Sequence, residues 1–154
     1  MTAPLLERIV SGGVTVLKRL KFDGLRGGVS REGDIDAVNL ELPCIIVSLH
    51  GEAEKMLGGT THTRFRGYGF RVMLLANDEV SLQDEAKIVG WRGQILDAFD
   101  RRRRQSEDDN LKLPNCPEVY QVTVNPRPVL DENLKQYKYA VSGLVVEVEA
   151  AVAR

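Results

Sequence analysis

Four side chains in this sequence are of types that bind metals or attack carbon: Cys44, Cys116, His50 and His62. Two thiols and two imidazoles match the count of a structural zinc site, but none shows the short paired spacing such sites use. Cys44 and His50 are six positions apart on a predicted strand, so they share a face yet lie roughly 20 Å apart along it. The four read as two small core thiols and two loop histidines. A cytosolic chain keeps its thiols reduced, so no disulfide is expected. There is no GxSxG elbow and no histidine beside a plausible serine or cysteine nucleophile. Asp108 with Asp109, and Glu52 with Glu54, fall in predicted polar loops where solvation keeps carboxylates ordinary. Gly24, Gly27 and Gly28 resemble a phosphate loop only in composition, because no lysine follows in the GxxxxGK[ST] spacing. The expectation is no catalysis, no metal and no cofactor.

Charge is the louder signal. Arg101, Arg102, Arg103 and Arg104 run together, with Asp97 and Asp100 before them and Glu107, Asp108 and Asp109 soon after. Those acids nearly cancel the local field, which argues against a phosphate grip. The run suits a helix C-terminus, or a protein contact in which guanidinium forks meet carboxylates. Glu147 and Glu149 of a neighbouring subunit are one such partner. Trp91 reads first as a packed core aromatic, but it lies off the main helical stripe and a partner-facing role stays open. Charge and expected exposure give the candidate interface residues Glu52, Glu54, Lys55, Arg64, Arg66, Trp91, Arg101, Arg102, Arg103, Arg104, Glu147 and Glu149.

These residues must be positioned by a chain of 154 residues, 43% hydrophobic and 28% charged, with net charge −1. That length fits one domain with a real core, residues 1–154, with 23–41 as a long flexible loop or arm. The balanced charge gives no field for steering nucleic acid. No apolar run approaches the roughly 18 residues that span a bilayer, and MTAPLLERIVSGG lacks a signal peptide's cationic start, so use without export is expected.

The longest helical signal is Ser81 to Arg104, with Ser81 as N-cap and Asp84 and Glu85 in the first turn. Leu82, Ala86, Val89, Gly93 and Leu96 form its expected core stripe, widened by Ile88, Ile95 and Phe99. Residues 4–20 form a first helix, interrupted by Gly12 and Gly13, which must be held by packing or bent there. Leu42–Leu49 is a strand expected to be buried on nearly both faces. Residues 51–63 read as a short helical or looping piece. Arg64–Leu75 is a second strand, Val119–Val124 a third, and residues 135–152 a long final strand. The expected fold is α+β, a mostly antiparallel sheet of about four or more strands packed by an N-terminal and a central helix.

In this element order, and in LPCIIVSL, FRVMLLAND before SLQDEA, and YKYAVSGLVVEVEA, the chain resembles the tail terminator (tail-completion, minor tail protein U-like) proteins of long-tailed phages. The resemblance covers residues 1 to 152 and is one of order and texture. It implies a structural virion protein that forms a hexameric ring, caps the tail tube and stops its polymerisation. The implied partners are further copies of the chain, the tail-tube protein and a head-completion or connector protein. Double-stranded DNA would pass through without sequence-specific binding. The implied place is the head-proximal end of the tail, after synthesis in the host cytoplasm, with no membrane. Segments 23–41 and 51–63 then become candidates for ordering against neighbours. The alternatives are another head-to-tail joining or tail-tube protein of related fold, a cytosolic α+β ligand-binding or regulatory domain, and an enzyme of unrecognised type.

Overall fold

Alternation along the last strand sets the two faces of the sheet. In β5 (Tyr139–Ala153), Leu144, Val146, Val148 and Ala150 point into the main core, while Val145, Glu147 and Glu149 alternate with them on the far side. A computed structural model describes residues 3–32, 41–77, 82–100, 113–127 and 139–153. The other elements are helix α1 (Leu5–Arg19), β1 (Val29–Arg31), β2 (Cys44–Gly59), β3 (Thr63–Asn77), helix α2 (Leu82–Asp100) and β4 (Val119–Pro126). Among the described residues the five strands lie in the order β1-β2-β3-β5-β4.

The fold is α+β, with a mixed sheet and two helices among the described residues. Three of the four strand pairings are antiparallel, but β1 runs parallel to β2, with Val29 opposite Ile45 and Arg31 opposite Val47. That short strand lies within the stretch expected as a loop or arm. Backbone bonds from Gly27 N–H to the Pro43 carbonyl (2.9 Å) and from Ile45 N–H to the Gly28 carbonyl (2.9 Å) dock it. Gly27 permits the approach: a Cβ there would stand 2.1 Å from the Glu41 carbonyl oxygen. Residues 33–40 of the expected arm lie outside the described residues.

Both helices cover one face. Ile9, Val10, Val16 and Leu17 of α1 join Ile45, Val47, Phe70, Val72, Leu74, Leu144 and Val146 in the main core. Gly12 and Gly13 are buried within α1, so packing accounts for them: a Cβ on Gly13 would lie 2.5 Å from Phe70 Cζ, and one on Gly12 2.8 Å from the Pro114 carbonyl oxygen. Arg8 bridges the Glu118 carboxylate at 3.1 Å, and Arg31 forks onto Glu7 with Nη2 to Oε2 at 2.8 Å, so α1 is tied to the start of β4 and the end of β1. That Arg31 hydrogen bond holds the Glu7 carboxyl below its ordinary range.

Two expectations are corrected. The residues from 51 to 59 continue β2 instead of forming a helical or looping piece, with Glu54 opposite Tyr68 and Lys55 opposite Gly67. Pairing with β3 overrides the local helix preference of EAEKML, and irregularity survives only as register shifts between Leu49 and Glu54 and between Met56 and Gly58. The core-facing side of α2 keeps the expected Ile88, Ile95 and Phe99 and adds Trp91 and Arg92, while Ala86 is exposed and Val89 is 52% exposed. The two stripes have the same helical spacing, and the one with larger side chains buries more apolar area. Phe99 stacks edge-on to Phe70 with centroids 5.8 Å apart. The proposed Ser81 cap lies outside the described residues.

On the opposite face, among the described residues, burial is confined to one half of the sheet. Cys44, Ile46, Leu75 and Val141 form a second buried cluster. Further along β5, burial stops between Val145 and the exposed Glu147.

Candidate functional site

Where burial stops, the far face carries a trough. Its floor is β3, where Gly67 and Gly69 present no side chain on successive far-face positions. One wall is Lys55 and Leu57 on β2; the other is Glu147 and Glu149 on β5, with Thr123 on β4 behind them. The trough is open to solvent and has a volume of about 110 Å³. A methyl placed on Gly67 would meet Lys55 Cβ at 3.5 Å and Leu57 Cδ1 at 3.6 Å, ordinary contact distances, so the protein's own packing leaves room for one. Beyond Gly67, Phe65 meets Tyr120 edge-on with centroids 6.1 Å apart. Burial, then the neighbouring Glu149 carboxylate, pushes the Tyr120 phenol above its ordinary pKa.

The structure gathers three of the sequence-selected residues here: Lys55, Glu147 and Glu149. Glu54, Arg64 and Arg66 occupy the same end of the sheet but alternate onto the helix-side face, where Arg66 stands opposite Met56. The Arg64 Nε is buried without a hydrogen-bond partner. Met56 and Leu57, 78% and 41% exposed, are conspicuous apolar side chains on this outer part of β2. Trp91 belongs to the core, with its Nε1 donating to the Asp23 carbonyl at 3.1 Å, so it is removed from the exposed candidates. Arg101, Arg102, Arg103 and Arg104 lie outside the described residues, as does the Glu52 side chain.

Sequence reasoning found the charges and missed the glycines between them. The available signal was the GYG of RFRGYGF, two glycines at strand period, which leave one face of a strand bare.

The thiols are free and buried in separate clusters, Cys44 in the far-face cluster and Cys116 in the main core. Burial pushes each up to about 11, which suits apolar fillers rather than nucleophiles. His62 is exposed near the β2–β3 turn, and the His50 side chain lies outside the described residues. Among the described residues, no three His, Cys, Asp or Glu side chains are grouped to hold a metal ion. No described helix is long and apolar enough to cross a membrane.

A second cavity, about 190 Å³, lies between the loop before β1 and the start of α2, lined by Arg26, Lys87, Trp91, Leu42, Pro43 and Ala76. No protein-family model matches the chain, and no characterised protein matches its sequence.

Proposed function

We propose that this protein is a tail terminator of a long-tailed phage. It would form a ring, most simply a hexamer, that caps the tail tube, halts its polymerisation and offers the surface to which a head-completion protein joins. The observation that carries the reading is the part of the sheet's far face left exposed among the described residues, with its glycine floor and acidic wall, bordered by Leu57, while Met56 is exposed on the other face of the same strand end. A strand end with apolar side chains exposed on both faces, beside an exposed trough, is the kind of surface that protein partners bury. The likeness in element order to tail terminators supplies the identity of the assembly. In this reading the net charge of −1 suits a conduit through which DNA slides without being held.

The test is light scattering on the eluting protein, alone and mixed with the tail-tube protein of the same phage. A ring-sized species, alone or on tube ends, supports the reading. A chain that stays monomeric and never binds tube ends defeats it.

One observation favours a second reading, a ligand-binding domain. The cavity flanked by Arg26 and Lys87 has an indole wall and the cations to receive a small anion. A thermal shift of several degrees with millimolar phosphate or carboxylate metabolites, without any assembly, would favour it.

A further inference from the structure

The trough has a chemical counterpart on the same chain. Lys18 and Arg19 in the last turn of α1, Lys21 and Arg26 in the following loop, and Lys87 on α2 are all exposed. Asp23, Glu32, Glu41 and Glu85 are the exposed acids described on the neighbouring segments, so five cations stand against four carboxylates. Lys87 belongs to this group by geometry, since its Nζ lies 3.7 Å from where a Gly24 Cβ would stand. The cluster sits on the helix side, at the end of the sheet where β1 and β2 begin: the same loop bonds Pro43 through Gly27 and Trp91 through the Asp23 carbonyl. The trough is on the opposite face and towards the other end, beside the last residues of β2 and β5.

Two complementary patches on opposite faces cannot satisfy each other within one molecule. They match head to tail between copies, and a heterologous contact of that kind closes into a ring when its rotation permits. The trough's shape suits a long cationic side chain. Its bare glycine floor and Leu57 would take the aliphatic stem, while Glu147 and Glu149 would take the charged tip. Lys55 on the opposite wall would repel a cation, directing it to the β5 side.

We propose that the Gly67–Gly69 trough is the socket for a second copy of this chain, entered from its basic cluster at Lys18 and Arg19 in the last turn of α1 and Lys21 just beyond it. The proposal rests on the ring reading and adds to it which two surfaces meet. It assigns Glu147 and Glu149 a partner on α1, in place of the arginine run after α2.

Sedimentation equilibrium of the full chain across a concentration series, with and without tail-tube protein, tests it. K18E/R19E/K21E and E147K/E149K should each weaken self-association at least about tenfold, and combining them should restore it to within about threefold of the native chain. Gly67→Val, which fills the floor, should weaken association without lowering the monomer's unfolding temperature. Raising salt from 0.15 to 1 M shortens the screening length from about 8 to about 3 Å and should weaken association as well. Assembly that ignores both charge reversals, or reversals that do not rescue each other, overturns the socket and leaves the ring reading standing. A chain that is monomeric throughout, or stops at a dimer, overturns the ring reading and the socket with it.

Discussion

Nη1 of Arg92 donates to the Oγ of Ser142 at 2.8 Å in the interior of the protein. The same nitrogen reaches the Gly143 carbonyl at 2.8 Å, and Nη2 reaches the Arg127 carbonyl at 2.6 Å. One side chain on α2 therefore holds the first half of β5 and the exit of β4, all through neutral acceptors. Burial lowers the guanidinium's pKa from its ordinary value. Arg92→Met removes the donors and keeps the apolar bulk, and should cost about 2–4 kcal/mol, because hydrogen bonds to charged groups are worth about 1.5–3 kcal/mol each. Ser142→Ala, which takes away one acceptor, should cost about 1 kcal/mol. Urea midpoints of the two variants check the ranking; equal losses would mean that the carbonyl contacts contribute nothing.

Glycines in the two helices should respond oppositely to a methyl group. Gly13→Ala forces a Cβ to within 2.5 Å of Phe70 Cζ, deep in the core. It should destabilise by about 1–3 kcal/mol despite the better helix propensity of alanine. Gly90 has nothing within 4 Å of a built Cβ, and Gly90→Ala should stabilise by about 0.5–1 kcal/mol. Thermal unfolding of the pair provides the comparison, and two shifts of the same sign would contradict the packing described for α1.

The thiols make stability fall on the alkaline side. Cys44 and Cys116 are each pushed up to about 11 in the folded protein from an ordinary value of 9.0. Below about 9 both states hold the protons and the thiols have no effect. Between about 9 and about 11 the unfolded chain ionises first, so stability falls by at most about 1.4 kcal/mol per pH unit for each thiol. Denaturation midpoints at pH 8, 9.5 and 10.5 should decline for the native chain and decline less for Cys44→Ala and Cys116→Ala. A matching native-state result is slow labelling by a thiol reagent at pH 8 that becomes fast on unfolding.

Much of the fold can be read from strand alternation. Residues 146–150 declare two faces because apolar and charged side chains alternate there at period 2, and in the structure Val146, Val148 and Ala150 are buried while Glu147 is exposed. The existence of α2 was equally plain, and so was the burial of Ile88, Ile95 and Phe99, but not that of Trp91 and Arg92 in place of Ala86 and Val89. Stripes through Val89 and through Ile88 fit the same period, and only the sheet decides which one packs. Likewise EAEKML looks helical by itself and becomes strand through its pairing with β3, which is distant information that no local window holds. Val29–Arg31 is too short for any periodic signal. At the trough, Glu147, Glu149 and Lys55 were visible as charges. That they face one another across bare glycines depends on the register of three strands, Lys55 opposite Gly67 and Gly67 opposite Glu149. Arg92 escaped notice because an arginine in a helix normally points to solvent.

The most direct measurement is the length of tail tubes polymerised from purified tube protein with and without this chain, imaged by negative-stain electron microscopy. A terminator should leave short tubes bearing a ring of extra density at one end, with Glu147→Lys/Glu149→Lys restoring long, bare tubes. Tubes of unchanged length with unmodified ends, at saturating concentrations of the native chain, would contradict the assignment.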